Sequence, residues 1–461
     1  MIDLQGKRLL VLGLGVTGIA VAEAASARGA EVFAYDDKEA AVEASRVRLE
    51  QLGVVLLGFE RASEERFDIS VVSPGIPPTN ALALTLGSNG ASLISEIELA
   101  YLVAKAPIVA ITGTNGKSTT TVLAGGMLKA SGIKTYIGGN LSAEGYDLPL
   151  ITAAMQAGAD DAIVAEVSSF QLERSYQFRP RSAALLNVSE DHLNRYGDIF
   201  DYADAKMRIF QSQGPEDTSV LGWDSELVRE RSGQVRGRLL WFSDHQEVDQ
   251  GAFLRGEDLI LRIDGGEDVF AVSGEMKLWA SYDKLNALAS ACVAWGMNAT
   301  LSGITEAAVT FAGLPHRMED CGSIDGVRWL NNSMCTNPAA GSAAVKAVAE
   351  KYPAIVIAGG AEKGCDYSEW GCTIADSAKL LLLIGQDSEI LEEAARRAGV
   401  QSILRLDSLQ DAMQEARHLA QRGDAVVLAP AMASFGEFTN FRIRGQKFKA
   451  LVEAFRKEAE E

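Results

Sequence analysis

The sequence predicts an α/β protein built from three successive units, and three observations carry that expectation. Apolar runs of strand length alternate with helix-length stretches along the whole chain. Two glycine-rich turns, at 13–18 and 113–116, each follow a strand-like run and precede a helix-like one. At 461 residues the chain also exceeds what a single hydrophobic core usually supports.

The first unit opens with "KRLLVLGLGVTGIAVAEAASARGAEVFAYDD", which reads strand, glycine turn, helix, strand. Gly13, Gly15 and Gly18 give G-x-G-x-x-G, and Asp36 and Asp37 close the next strand, where a ribose-binding acid would sit. The runs around "DISVVSPGIP" and "ASLISEIEL" continue the alternation as a small doubly wound unit. Taken alone, such a turn suits a dinucleotide, another nucleotide or mere packing, so an NAD-dependent oxidoreductase is one expectation at this point.

The second unit begins at Pro107 with "PIVAITGTNGKSTTTV". The usual phosphate-loop spacing, G-x-x-x-x-G-K-[ST], requires a glycine at 111, and Ile111 stands there; the stretch reads G-x-x-G-K-S-T from Gly113. Gly113 and Gly116 let backbone N–H groups approach phosphate oxygens, and the following helix presents its positive end. Lys117 supplies a cation for terminal phosphates and Ser118 a hydroxyl for Mg²⁺. Strand-like "DDAIVAEVSS" and "SAALLNVSE" end in polar residues, and in an open parallel sheet such ends gather at the ligand. Glu166 and His192 therefore fall at the same sheet edge as Ser118, a set able to hold Mg²⁺; singly, they read as a solvated acid and a helix-start histidine. Lys206, in "DYADAKMRIF", has the pattern of a snorkelling surface lysine. Over 214–275 the short runs "RLLWFS", "DLILRI" and "DVFAVSG" predict antiparallel strands, and "YDKLNALASACVAWG" a closing helix.

After "LPHR" (Leu314 to Arg317) a third alternation begins, with strands in "VRWLNNS", "AIVIAGG", "LLLLIG" and "DAVVLAPA". Arg317 offers an anion clamp or is a plain linker arginine. "GGAEKG", with Lys363, and "APAMASFGEFTNF", with Ser434 and Phe441, are polar loops after apolar strands.

A formal net charge of −19 speaks against nucleic acid or an anionic membrane surface as the main partner. No run is long enough to span a bilayer and the N-terminal stretch lacks signal-peptide features, so a cytoplasmic protein is expected. Five scattered cysteines without zinc-site spacing read as reduced thiols.

Taken in order, "GLGVTG", "SPGI", "TGTNGKST", "GGN" (138–140), "EVSSFQLE", "NVSEDHLNRY", "AKMRI", "GLPHR", "NNSMCTN", "GGAEKG" and "APAMASF…F…NF" resemble the Mur ligases over essentially the whole chain. That family's own phosphate loop is T-G-T-N-G-K-S/T, which accounts for the shortened spacing. The resemblance implies three domains: a Rossmann-like UDP-substrate domain (1–106), a P-loop-type mononucleotide domain for ATP (107–313), and a Rossmann-like domain for the amino acid (314–461). It implies a monomeric, ATP-dependent amide ligase of peptidoglycan precursor synthesis that adds D-glutamate to UDP-N-acetylmuramoyl-L-alanine through an acyl phosphate. A related ligase taking L-glutamate or another acceptor, as folylpolyglutamate synthase does, is the alternative; a catalytically silent UDP-sugar binder is another.

By position, the resemblance implies that Val16, Thr17, Asp36 and Asp37 lie near the uridine and Ser73, Pro74 and Gly75 near the diphosphate. Asn140 would contact the muramoyl part and Ser168 the alanyl arm. Gly113, Thr114, Asn115, Gly116, Lys117, Ser118 and Thr119 would hold ATP, with Asn286, Arg317 and Asn332 around it. Ser118 and Glu166 would hold one Mg²⁺, and His192 with Lys206, carried as its carbamate, a second. Thr336, Lys363, Ser434 and Phe441 would take the glutamate. The chain departs from the pattern where many relatives read "NDSKATN": Asn332 replaces an acid and Met334 a lysine. Tyr282 and Asp283 likewise stand where relatives carry "HN". With Met334 in place, the glutamate's cation is Lys363 aided by hydroxyls, or else Arg442 or Arg444.

Overall fold

The computed structural model describes residues 2–141, 143–189, 195–278, 280–362 and 364–460. The strand-length runs form three sheets. The first comprises β1 (Arg8–Leu12), β2 (Glu31–Tyr35), β3 (Val55–Leu56), β4 (Ile69–Val72) and β5 (Leu93–Ser95), ordered β3-β2-β1-β4-β5 and parallel throughout. This is the Rossmann-like order, in which the crevice beyond β1 and β4 is the ligand position. The helix Val16–Ala27 starts directly from the glycine turn. A Cβ on Gly18 would lie 1.8 Å from the Gly13 carbonyl oxygen, so only glycine lets helix and turn approach this closely.

The second sheet holds β6 (Ile108–Thr112), β7 (Thr135–Gly139), β8 (Ala162–Glu166), β9 (Ser182–Leu185), β10 (Thr218–Gly222), β11 (Arg238–Ser243), β12 (Gly251–Arg255), β13 (Asp258–Ile263) and β14 (Gly266–Val272). Its order is β7-β8-β6-β9-β10-β11-β12-β13-β14. The expectation of antiparallel strands over 214–275 is met only at the far edge, where β12, β13 and β14 form a meander. "RLLWFS" is β11, and it runs parallel to both β10 and β12. Apolar alternation records which face of a strand is buried; it carries nothing about strand direction.

One continuous core joins the first sheet to the second, with Leu9, Val11, Ile97 and Val103 packed in the same cluster as Ile108, Ile151, Ile163, Phe178 and Phe210. Polar groups pin the same seam. Glu98, buried to 1% exposure, accepts the backbone N–H groups of Tyr176, Gln177 and Phe178 at 3.0, 2.8 and 2.9 Å. Nearby, Ser95 N donates to Arg174 O at 2.9 Å. The other face of the second sheet is covered by the helices Lys117–Ala130, Ser281–Trp295 and Leu301–Thr310. Packing divides the chain into two compact units, Met1–Phe311 and Ala312–Glu461, so the seam expected at Pro107 runs inside the first.

The second unit carries the third sheet: β15 (Glu319–Ile324), β16 (Val327–Asn331), β17 (Ala354–Gly359), β18 (Ala378–Ile384), β19 (Ile403–Arg405) and β20 (Ala425–Leu428). The order is β15-β16-β20-β17-β18-β19, parallel except for the β15–β16 hairpin. Trp329, Phe448, Val452 and Phe455 pack the C-terminal helix Phe441–Glu460 onto it. Among the described residues no helix is long and apolar enough to cross a membrane.

Glu98→Ala should release three N–H donors at once, that of the buried Phe178 among them, and cost about 1–3 kcal/mol. Urea denaturation reads this directly; an unchanged midpoint would mean that the three donors find other acceptors.

Candidate active site

β6 ends at Thr112, and the loop 113–116 turns the chain into the helix beginning at Lys117. Gly116 makes that turn in the left-handed region, at φ 84°, and a Cβ there would meet Asn286 Oδ1 at 2.4 Å. The loop is braced from outside itself. Asn187 Oδ1 accepts Asn115 N at 2.9 Å, and Asn187 Nδ2 donates to Asn115 O at 3.2 Å. Thr114 N donates to Asn187 O at 3.0 Å, and Thr114 Oγ1 accepts Ser189 N at 3.1 Å. Lys117 Nζ folds back to Thr114 O at 3.0 Å, and Thr119 is buried in the first helical turn.

Glu166 is the last residue of β8, in register with Ile111 on one side and Gly139 on the other. Its carboxylate accepts Ser118 Oγ at 2.7 Å and Asn140 Nδ2 at 3.4 Å, with Ser118 and Glu166 only 5% and 4% exposed. Lys206 is no snorkelling surface residue: it is 1% exposed, donates to Gly113 O at 2.9 Å, and lies 4.3 Å over the Tyr202 ring. The helix Ile199–Met207, capped by Asp198, turns it inward. His192 lies outside the described residues.

These groups border a cavity of about 320 Å³. Pro74, Gly75, Lys117, Asn140, Ser168 and Lys206, all singled out in the sequence, line it; so do Ser169, Phe170, Arg195 and Tyr202, which were not. Arg195 is held by a two-pronged pair with Glu173 (2.9 and 2.7 Å), lies 4.1 Å over Phe170 and donates to Pro74 O at 3.4 Å. Arg195 stands three residues beyond His192, in the same quoted motif, and its residue type alone could have marked it as an anion partner. A neighbouring cavity of about 260 Å³ has Val188, Phe242 and Leu285 as apolar wall and Asn187, Asp224 and Asn286 as polar rim. Asn286 Oδ1 accepts Thr120 Oγ1 at 3.3 Å. Asp283, where relatives differ, accepts Ala280 N at 3.1 Å and so caps the helix that carries Asn286.

At the end of the first sheet, Asp36 accepts Leu14 N at 2.7 Å and Lys38 N at 2.9 Å, bracing the glycine turn. Asp37 accepts Tyr35 OH and Asn80 Nδ2, both at 2.6 Å. Burial first, and then the Asp37 hydrogen bond, push the Tyr35 phenol up to about 12. Ser73 Oγ donates to Gly13 O at 2.9 Å, joining the two loops, while Val16 is 75% exposed and Thr17 half-buried beside it.

In the second unit, Asn332 Oδ1 accepts Met318 N at 3.1 Å, and Arg317 Nη2 lies 3.1 Å from Met334 Sδ. A bridge between Ala361 and Ala433 brings the loop after β17 beside the loop after β20, which carries the buried Ser434. Lys363 lies outside the described residues; Thr336 is half-buried. Arg444 is no candidate for a ligand cation. Only 1% exposed, it donates to Ser333 Oγ, Ser333 O, Gly359 O and Met432 O, and burial pulls it down to about 10. Ser333 Oγ in turn donates to Phe441 O at 2.7 Å.

Two family models match the chain: the Mur ligase middle domain over residues 111–294, and the Mur ligase glutamate ligase domain over 316–432. The UDP-N-acetylmuramoylalanine–D-glutamate ligase of Pelotomaculum thermopropionicum is 38% identical over 460 residues, 99% of each chain. That of Geotalea uraniireducens is 38% identical over 457 residues, 98% of each. Among solved structures, the UDP-N-acetylmuramate–alanine ligase of Thermotoga maritima superposes with a TM-score of 0.59 at 17% identity, over 98% of this chain and 100% of that one. A pseudomurein peptide ligase of Methanothermus fervidus gives 0.59 at 18% identity, over 97% and 100%.

Asn187→Ala should release the Asn115 backbone and weaken ATP binding about tenfold, the loss expected for one or two hydrogen bonds. Calorimetry with ATP and with a UDP-sugar separates the effects; equal losses for both would show a general loosening of the sheet.

Proposed function

This chain belongs to the Mur ligase family, and we propose that it joins D-glutamate to the alanyl carboxylate of UDP-N-acetylmuramoyl-L-alanine, with cleavage of ATP, in peptidoglycan precursor synthesis. One observation carries the reading beyond the matches: the phosphate-loop lysine, the neighbours of the Ser118–Glu166 pair and the buried Lys206 converge on a single cavity. The glycine turn of the first sheet then takes the UDP of the substrate, through Val16, Thr17, Asp36, Asp37 and Ser73 to Gly75, in place of NAD. The 260 Å³ cavity beside Asn286, with its apolar wall and polar rim, suits the base of ATP. In the second unit, Thr336, Lys363, Ser434 and Phe441 take the glutamate, and Arg317 and Asn332 serve the nucleotide. The reading includes domain boundaries near 106 and 313 and a cytoplasmic monomer acting on small molecules.

A carboxylate is a poor acyl donor because attack would have to expel oxide. An alanyl carboxylate oxygen therefore attacks the γ-phosphorus, ADP leaves, and an acyl phosphate forms. The glutamate amine then attacks the acyl carbon; the tetrahedral intermediate loses a proton and expels phosphate, leaving the amide. Lys117, whose Nζ donates to a carbonyl of its own loop, can reach the terminal phosphate and neutralise it as the phosphoryl group moves. Asn140 and Ser168 orient the arm from the cavity wall.

The donor set fits Mg²⁺. A hydroxyl and a carboxylate 2.7 Å apart are the hard oxygen ligands that ion takes, so Ser118 and Glu166 would hold one ion. His192 and Lys206 would hold a second, with Lys206 as its carbamate. The neutral amine is the form that adds CO₂, releasing a proton and giving a carboxylate-like anion. When bound, Mg²⁺ supplies charge neutralisation at phosphoryl oxygens.

Phosphate release requiring both UDP-N-acetylmuramoyl-L-alanine and an amino acid tests the reading. A panel of D- and L-amino acids tests the acceptor, and inactivity of D-glutamate beside activity of another amino acid would overturn that part. Lys206→Ala should lose at least a hundredfold in rate, on the order of what loss of an electrostatic catalytic group costs. Formate or acetate should restore part of it, and full activity of the unrescued variant would remove Lys206 from the mechanism.

A further inference from the structure

Arg195 stands in the wall of the cavity of about 320 Å³, fixed on three sides. Along one edge, its Nε and Nη2 donate to the two oxygens of Glu173 at 2.9 and 2.7 Å. One face lies on the Phe170 ring, with Cζ 4.1 Å from the ring centroid, and Nη1 donates to Pro74 O at 3.4 Å. Glu173 is itself held. Tyr196 OH donates to its Oε1 at 2.8 Å, and the Tyr196 ring stacks on Phe170, with centroids 6.0 Å apart and planes 24° from parallel. The side chains of Arg195 and Glu173 are 15% and 22% exposed, so the pair is largely withdrawn from water.

A guanidinium carries five N–H donors and no acceptor. Glu173 and Pro74 O take three of them, so among the described residues one N–H on each terminal nitrogen is left over. The pairing also decides what those two can hold. An arginine by itself suits an anion, but a carboxylate on the same fork cancels most of its charge and repels a second anion. What is left is direction without net charge, and that suits a carbonyl oxygen.

We infer that Arg195, oriented by Glu173, reads the sugar part of the substrate: its remaining N–H groups donate to an uncharged carbonyl oxygen of the N-acetylmuramoyl group, and the diphosphate is held elsewhere. The inference rests on the ligase reading. There the uridine diphosphate lies on the loops of the first sheet and the reacting carboxylate at the phosphate loop. The group that crosses the cavity from Pro74 and Gly75 to Lys117 is then the sugar, with its acetamido and lactoyl carbonyls. Glu173 is a positioning residue in this scheme. Without its two oxygens the guanidinium can turn on the Phe170 face, and its free N–H groups lose their aim.

Calorimetry on the full chain with two ligands, UDP-N-acetylmuramoyl-L-alanine and UDP, tests this. Arg195→Met keeps an unbranched stem on Phe170 and removes the donors; it should weaken the sugar nucleotide about tenfold and UDP less than about twofold. Glu173→Gln should weaken the sugar nucleotide several-fold, leave UDP unchanged, and add nothing in the Arg195→Met background. Arg195 on the diphosphate predicts a different pattern: equal losses for both ligands in Arg195→Met, and tighter UDP binding once Glu173→Gln unmasks the charge. Either result overturns the inference, as does an equal loss of ATP binding, which marks a merely structural role. Should Arg195→Met fail to fold, Arg195→Lys keeps charge and stem without the fork and must show the same loss confined to the sugar nucleotide. Wild-type protein that binds neither ligand would instead count against the ligase reading.

Discussion

A four-residue loop with glycine at both ends has too few contacts of its own to hold its shape. Most of the architecture of the second sheet follows from this constraint. The bracing of residues 113–116 comes from elsewhere: Asn187 after β9, Asn286 on the helix over the sheet, and Lys206 on the helix Ile199–Met207. These residues are scattered from 187 to 286 in the sequence, and a parallel sheet whose strands end on one side brings them together. Glu166 meets Ser118 for the same reason, because β8 lies directly beside β6.

That constraint also decides what can be read without coordinates. The glycines, lysine and serine of the loop carry their chemistry in residue type and spacing, so they are legible, and the resemblance singles out six of the residues that line the cavity. Asn187 is not legible as a brace: an asparagine after a strand is an ordinary turn residue until its two amide atoms are seen on Asn115. Lys206 shows how a local pattern misleads, since apolar neighbours suit both a lysine lying along the surface and one buried to 1% exposure. Asp36 occupies the place a ribose-binding acid would take, and what the sequence does not show is that it also accepts two backbone N–H groups of the turn. Strand direction at β11 was illegible because burial alternates identically in parallel and antiparallel strands.

In the second unit, the departures from the family pattern sit among well-packed residues. Asn332 holds the backbone at Met318, whose φ of 44° needs such support in a non-glycine residue. Met334 gives the Arg317 guanidinium a polarizable sulfur at 3.1 Å where a lysine would have repelled it. Arg444 ties together carbonyls from the ends of β16, β17 and β20, so a charge that the sequence offers to a ligand serves to fix three loops.

The continuous core beneath the first two sheets bears on how such a chain can be cut, fused or shuffled. Ile97 and Val103 pack in one cluster with Ile151 and Phe178, so a fragment ending at residue 106 would carry a bare apolar flank into water. Residues 311 and 312, where packing thins, are the natural scissor point, and material on either side keeps its own interior. Any exchange of the first sheet between related chains would therefore have to transplant its neighbour as well, which ties the inheritance of the two sheets together.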